Sequence, residues 1–157
     1  MKYLCHILLA MILIGCSGNK LIIHDENGSP CLPDSEFNIS GITNQSTRPF
    51  VIAQKGEPVE IESEDSIRLE TLKYRDMIVE ISNDHVLFLS TDSSTNSTPS
   101  GIHPGMKRKA IYDILGWDEL KNGESEYQIV NCKIESYLVL KFNGDVLTSI
   151  GMGNDLP

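Results

Sequence analysis

Read for the spacing of its apolar residues, the chain divides into stretches of different period. It opens on an apolar run, Leu4 to Ile14, broken only by His6. Residues 16 to 48 then scatter Gly18, Gly28, Pro30, Pro33 and Gly41 among polar residues, the composition of a tether. Leu21-Ile22-Ile23 is an apolar patch within it, fit for a short strand, and Phe50-Val51-Ile52 is a second such patch just beyond it. From Val59 the pattern alternates: Val59-Glu60-Ile61-Glu62, then Ile67-Arg68-Leu69-Glu70-Thr71, which sets Ile67, Leu69 and Thr71 on one face of a strand. A helix from Asp65 to Tyr74 fits the same residues less well. Met77 to Ile81 and Val86 to Leu89 are rich in β-formers and are separated by Ser82-Asn83-Asp84-His85, which predicts a hairpin.

The design recurs near the C-terminus. Tyr137 to Phe142 and Val146 to Ile150 flank Asn143-Gly144-Asp145. Asn-Gly is a strong short-range hairpin signal, because a type I′ turn requires positive φ at both central residues. Either the two hairpins belong to related half-units, 49–100 and 101–157, or they are unrelated and share common turn residues. Between them Pro104-Gly105 breaks the chain, and Met106, Ala110, Ile111, Ile114 and Leu115 then fall on one helical stripe. Gly116 stands where a left-handed C-cap belongs. Asp118 to Glu126 is polar and turn-like, and Tyr127 to Val130 reads as a strand. Ser90 to Ser100 is the most loop-like stretch. The order predicts an α+β domain over 49–157: an antiparallel sheet with one or two packed helices.

The opening run has a different meaning. As a helix, Leu4 to Ile14 would span about 16 Å, half of a bilayer core of about 30 Å, so it is too short to cross and has the length of a signal-peptide apolar region. An ordinary secretory cleavage site needs small residues at −3 and −1, and Leu13 is too large for that pattern before Cys16. Leu13-Ile14-Gly15-Cys16 instead resembles the lipobox of bacterial lipoproteins. The resemblance implies removal of residues 1–15, diacylglycerol in thioether linkage on the Cys16 sulfur and, in many species, acylation of the new amine. Two or more acyl chains give stable anchoring where one is marginal, so the lipid suffices to hold the protein on a membrane. Ser17 follows the cysteine where Asp would favour inner-membrane retention, so the outer membrane is favoured over the inner.

Charge narrows the partners. The 157 residues carry a net charge of −9, and residues 1–15 hold one basic residue, Lys2, and no acidic one. The remainder is therefore more acidic still. It repels phosphate backbones, so no nucleic acid is expected, and it gains nothing electrostatically from anionic lipid. Of four cysteines, Cys5 leaves with the leader and Cys16 is the lipidation candidate. Cys31 and Cys132 remain, an even number in an exported protein. Either they pair, closing a loop of about 100 residues that stabilises by about 4.7 kcal/mol in the chain-entropy model, or they stay two free thiols. Their separation, with no Cys-x-x-Cys or His-x-x-x-His, does not match zinc ligand spacing, and no metal or other cofactor is expected. The sequons at Asn27, Asn38, Asn44 and Asn96 read as polar loops in a bacterial setting.

Gly101 to Gly116, with Gly101, Gly105-Met106, Ile111 and Leu115-Gly116 at its marked positions, resembles the segment G-x-x-x-G-M-…-V-x-x-x-L-G of the SmpA/BamE-like lipoproteins. It also resembles repeats of the β-lactamase-inhibitor-protein type, a helix followed by a curved antiparallel sheet. The resemblance runs from Gly101 to Gly151; Trp117 stands where family members often have Pro soon after Leu-Gly. It implies that fold, and a habit of acting through protein contacts such as outer-membrane protein assembly.

Catalytic motifs are absent: no Gly-x-Ser-x-Gly, His-Glu-x-x-His, phosphate loop or dinucleotide fingerprint. His24 and His85 adjoin Asp25 and Asp84, an arrangement that either tunes a base or is a pair of solvated loop histidines; His103 is the third. Lys107-Arg108-Lys109 is the sole basic cluster, either a site for an acidic partner or a solvated helix face. Trp117 is either an interface anchor or a core residue at the helix–sheet contact. The leading expectation is a non-catalytic envelope lipoprotein, held by lipid on Cys16. It binds a protein partner around Lys107, Arg108, Lys109 and Trp117. The runner-up is an inhibitor or small-ligand-binding domain using the concave sheet face, and a hydrolase is third.

Overall fold

A computed structural model of the chain describes residues 20–154 except 65, 67 and 134. The leader 1–15, Cys16 and Ile67 lie outside the described residues. The first part of the described chain is two small hairpins, β1 (Ile23–His24) with β2 (Pro30–Cys31) and β3 (Asn38–Ile39) with β4 (Ile42–Thr43), with a 3-10 turn at Asp34–Glu36 between them. Helix α1 (Arg48–Lys55) follows, then β5 (Glu60–Glu64), β6 (Leu69–Lys73), β7 (Ile78–Ser82) and β8 (His85–Thr91). Helix α2 (Arg108–Leu115), a 3-10 turn (Asp118–Asn122) and β9 (Glu126–Val130), β10 (Ser136–Asn143) and β11 (Val146–Asn154) complete the chain. The fold class is α+β.

Seven strands form one antiparallel sheet in the order β5-β6-β7-β8-β11-β10-β9. Paired residues share a face, so the register draws a stripe straight across it: Leu72, Val79, Leu89, Met152, Leu138 and Ile129 are successive partners. All six are buried, beneath the layer that α1 and α2 supply through Val51, Ile111 and Leu115. Alternation in β6 thus buries Leu72 and leaves Leu69 and Thr71 on the other face, half-buried. The apolar face of that strand is the opposite of the one its alternation predicts, because its neighbours in the sheet decide which side has a covering layer.

The tether expected over residues 16–48 is corrected for the described part, from Lys20. Leu32, Ile39 and Ile42 have no exposure at all, and Cys31 and Cys132 form a disulfide with Cα atoms 5.0 Å apart. Leu32 accepts a place beside the β9 edge: its N–H donates to the Val130 carbonyl (2.9 Å) and its own carbonyl receives the Cys132 N–H (3.2 Å). Gly, Pro and polar residues mark tight turns as readily as tethers. Each turn here delivers only one or two apolar side chains to the core, too few to set a period. Phe50-Val51-Ile52, the second apolar patch, lies in α1; Pro49 in its first turn suits a helix start, where no intrahelical N–H is needed.

Contacts around α1 recur around α2, 60 or 61 positions later. Arg48 N–H donates to Asp84 O (3.1 Å) and Arg108 N–H to Asp145 O (2.8 Å); Val86 N–H donates to Ser46 O (3.0 Å) and Leu147 N–H to Met106 O (2.9 Å). Thr47 bridges His85, and Lys107 bridges Val146. Both hairpins shift register at matching places, Glu80/Ile81 and Lys141/Phe142. Ser40-Gly41-Ile42 and Ser100-Gly101-Ile102 are the same tripeptide, each with Gly at φ 86° and a buried isoleucine. The matched segments begin at residues 40 and 100, ahead of the boundary expected at 49. Across the β8–β11 junction, Leu89 pairs with Met152 and Thr91 with Ile150. Shifting by 61 exchanges the two pairs, so a local two-fold relates the hairpins at the Ser90–Gly151 pair.

Candidate functional site

The positions expected to meet a partner are not gathered on one surface. Arg108 is buried: its guanidinium donates to Glu124 O (2.9 Å), Gly144 O (2.9 Å) and Leu120 O (3.4 Å) and lies 4.0 Å over the Phe142 ring. Trp117 is in the core, edge-on to Tyr127. These two are lost to a partner surface because the space between α2 and the sheet edge takes their large planar groups. Lys107 and Lys109 are exposed, with Lys109 paired to Asp113 across one helical turn (2.8 Å). The histidines do not converge. His24 is exposed in β1, and His85 and His103 turn Nδ1 toward carbonyls of their own loops, at Asn83 and Pro104. Among the described residues no group of three or more His, Cys, Asp or Glu side chains is placed to hold a metal ion.

The loop-like tract Ser90 to Ser100 holds a polar cluster that the sequence reading missed. Asn96, with 2% exposure, donates from Nδ2 to Asp76 O (2.9 Å), Asp76 Oδ2 (3.0 Å) and Thr91 Oγ1 (3.0 Å). Its Oδ1 accepts from Ser40 Oγ (3.0 Å) and Lys55 Nζ (3.2 Å), and Lys55 also pairs with Asp76 (2.9 Å). One amide so joins the end of α1, the β6–β7 turn, the β3–β4 turn and its own loop. Burial pushes the Asp76 carboxyl up, but hydrogen bonds from Lys55 and Asn96 outweigh it and hold the group below its usual value. The Ser/Thr/Asn composition that reads as a solvated loop is here used to satisfy buried polar atoms.

The other face of the sheet has no covering layer among the described residues. Its residues follow from the register: Lys73, Ile78, Ser90, Gly151 and Val139 in one row, Thr71, Glu80, Phe88, Gly153 and Tyr137 in the next. A groove of about 380 Å³ lies at its centre, with Ile78, Phe88, Ser90, Val139, Lys141 and Gly151 among its lining. Gly151 and Gly153 let two rings approach closely: a Cβ on Gly151 would stand 2.9 Å from Phe88 Cζ, and one on Gly153 2.6 Å from Tyr137 Oη, so either ring would have to move. The two aromatic rings lie over the glycine backbone, with centroids 6.5 Å apart.

The groove sits on the local two-fold. Its related positions match where packing demands it and differ where solvent permits. Inner-face residues Val79 and Leu140, Val86 and Leu147, and Leu89 and Ile150 are all buried aliphatics. On the open face Ile78 answers to Val139, but Glu80 answers to Lys141 and Phe88 to Ser149. Of these, Ile78, Phe88, Val139, Lys141 and Ser149 line the groove, where Arg75 and Asp92 join them, while Glu80 stands outside the lining as the cross-strand partner of Phe88.

This arrangement defines a two-layer α+β protein with a bare sheet face. No family model matches the chain, and no curated protein matches it. Among solved structures it is similar to an extracellular protein containing an SCP domain from Bacillus anthracis str. Ames, with a TM-score of 0.51 at 13% identity. The similarity covers 71% of this chain and 44% of that one, so the described fold spans less than half of that protein's length. At this identity the likeness is one of fold.

Proposed function

We propose that the protein is a non-catalytic envelope lipoprotein, anchored through lipid on Cys16, whose open sheet face binds another envelope protein. The single observation that carries the binding reading is the apolar centre of a face that ought to be polar. A solvated face of an antiparallel sheet normally alternates to polar residues, yet exposed Ile78 and half-buried Phe88 gather there over a buried Val139, in a groove also lined by Arg75, Lys141 and Asp92. Leu13-Ile14-Gly15-Cys16 supports the anchor, and Ser17 supports the outer membrane over the inner. The partner matches the groove: an apolar protrusion flanked by charges of both signs.

Two measurements test it. Cys16→Ala is expected to lose the mass of the lipid and to leave the membrane fraction; an unmodified Cys16 in the wild type defeats the anchor. Ile78→Glu combined with Lys141→Gln is expected to abolish recovery of a stoichiometric envelope protein by the lipidated chain, with its thermal midpoint nearly unchanged, since both side chains are exposed and the Lys141–Glu126 pair is a solvated one. Retention of the partner by that variant defeats the open face as the binding surface. A small molecule copurifying in the groove, with no protein recovered, favours the ligand-binding alternative.

A further inference from the structure

We propose that the C-terminal end of α2 and the 3-10 turn after it are held against the lipid surface by the shortness of the chain leading to them, leaving the open sheet face directed away. The inference rests on the reading of Cys16 as the lipidated residue. Its own support is where the N-terminal arm is fastened. Lys20 lays its side chain across Gly116, so closely that a Cβ on that glycine would fall 2.5 Å from the lysine carbons. Two residues on, the Ile22 N–H donates to the Leu115 carbonyl (2.9 Å), the last turn of α2. Leu21 and Ile22 pack against the core, and the Cys31–Cys132 disulfide closes the arm down on the β9 edge.

Four residue steps separate Cys16 from Lys20. Even fully extended they reach at most about 14 Å. That is little more than the width of one helix, about 10–12 Å. Whatever path those residues take, a lipid on Cys16 keeps the end of α2 at the headgroups. Net charge does not draw this end to the surface, since Lys20 and Lys121 are offset by Asp118 and Glu119. Ile23, 47% exposed on the same arm, gives an apolar side chain the same surface accepts. The lipid enters from the helix layer, and the groove opens on the opposite side of the sheet. Strand β5, at the far edge, is six strand spacings from β9, about 29 Å at ~4.8 Å each.

The test uses the native lipoprotein, with lipid on Cys16 first verified by intact mass. It is placed in phosphatidylcholine–phosphatidylglycerol vesicles that carry a nitroxide at the headgroup. A fluorophore is attached at Glu119→Cys or at Glu62→Cys, both exposed positions, with the disulfide kept oxidised. Quenching is expected to be several-fold stronger at 119 than at 62. A Gly/Ser spacer inserted after Ser17 is expected to remove most of that difference. Lipidated protein quenched equally at both positions, or more at 62, overturns the proposal, and so does a difference that survives the spacer. A wild-type mass without lipid removes this inference together with the anchor, whereas the other outcomes leave the anchor standing.

Discussion

Arg108 opens α2 with its side chain turned inward, its guanidinium shared among three backbone carbonyls and laid over the Phe142 ring. It so joins the 3-10 turn at Leu120, the loop before β9 at Glu124 and the β10–β11 turn at Gly144, with Tyr127 Oη donating to the same Leu120 carbonyl (3.4 Å). Arg108→Ala would take this donor from the Glu124 and Gly144 carbonyls in a buried site and remove the contact with Phe142, and should lower stability by about 3 kcal/mol in denaturant titration. Arg48, its counterpart at the start of α1, is half-exposed and pairs with Glu70 at 2.5 Å, so Arg48→Ala should cost much less. Asp76 makes the second residue-scale prediction. Its carboxyl is held below the ordinary value, so its stabilising contribution is present above the unfolded pKa, near 3.8, and is lost as pH falls through the lower folded one. Wild-type stability should drop across that acidic window, and Asp76→Asn, less stable at neutral pH, should drop less there.

At the scale of elements, turn chemistry carries most of the determination. Gly116 at φ 69° ends α2 as its place after Leu115 predicts. Gly116→Ala meets both a backbone penalty and the Lys20 side chain; a loss of about 1–2 kcal/mol is expected from the backbone alone. Hydrogen exchange should quicken at the Ile22 amide in the same variant, because the arm can no longer lie flat on the helix end. The two hairpins show how far a turn signal reaches. Asn83-Asp84 is the turn in which both central residues have positive φ, at 50° and 68°. At Asn143-Gly144 the loop is one residue further on than the dipeptide predicts: Asn143 pairs with Val146, and Gly144 alone has positive φ, the type II′ pattern. The hairpin was legible there, and its turn type was not, because the strand register and not the dipeptide chose which two residues are central.

At the scale of the whole molecule, a disulfide closes the described fold. Cys31 and Cys132 join the arm to the end of β9 across 101 residues of chain. Removing the link with Cys31→Ser and Cys132→Ser together should lower stability by up to about 4.7 kcal/mol, the loop-closure term for that span. The same variant should expose the amides of Leu32 and Cys132 to hydrogen exchange before the rest of the sheet opens, since the disulfide and the Leu32 pairing hold the same edge. If the pair is a local ornament, global unfolding will shift little and those amides will stay protected.

Strand and helix periods, the two hairpins, the helix C-cap and the α+β class were written in the sequence, because each is a local consequence of which residues alternate, repeat every three or four positions, or tolerate positive φ. So was the lipobox pattern around Cys16, a matter of four residues behind an apolar run. The packed arm over 20–47, the burial of Arg108 and Trp117, the Asn96 cluster and the groove over Gly151 were not. Each depends on residues far apart in the chain being brought to one place. A glycine or an asparagine carries the same local meaning in a tether as in a core. Which face of β6 is apolar in fact, and which polar residues find partners, are settled only when the neighbouring strand and the covering helices arrive.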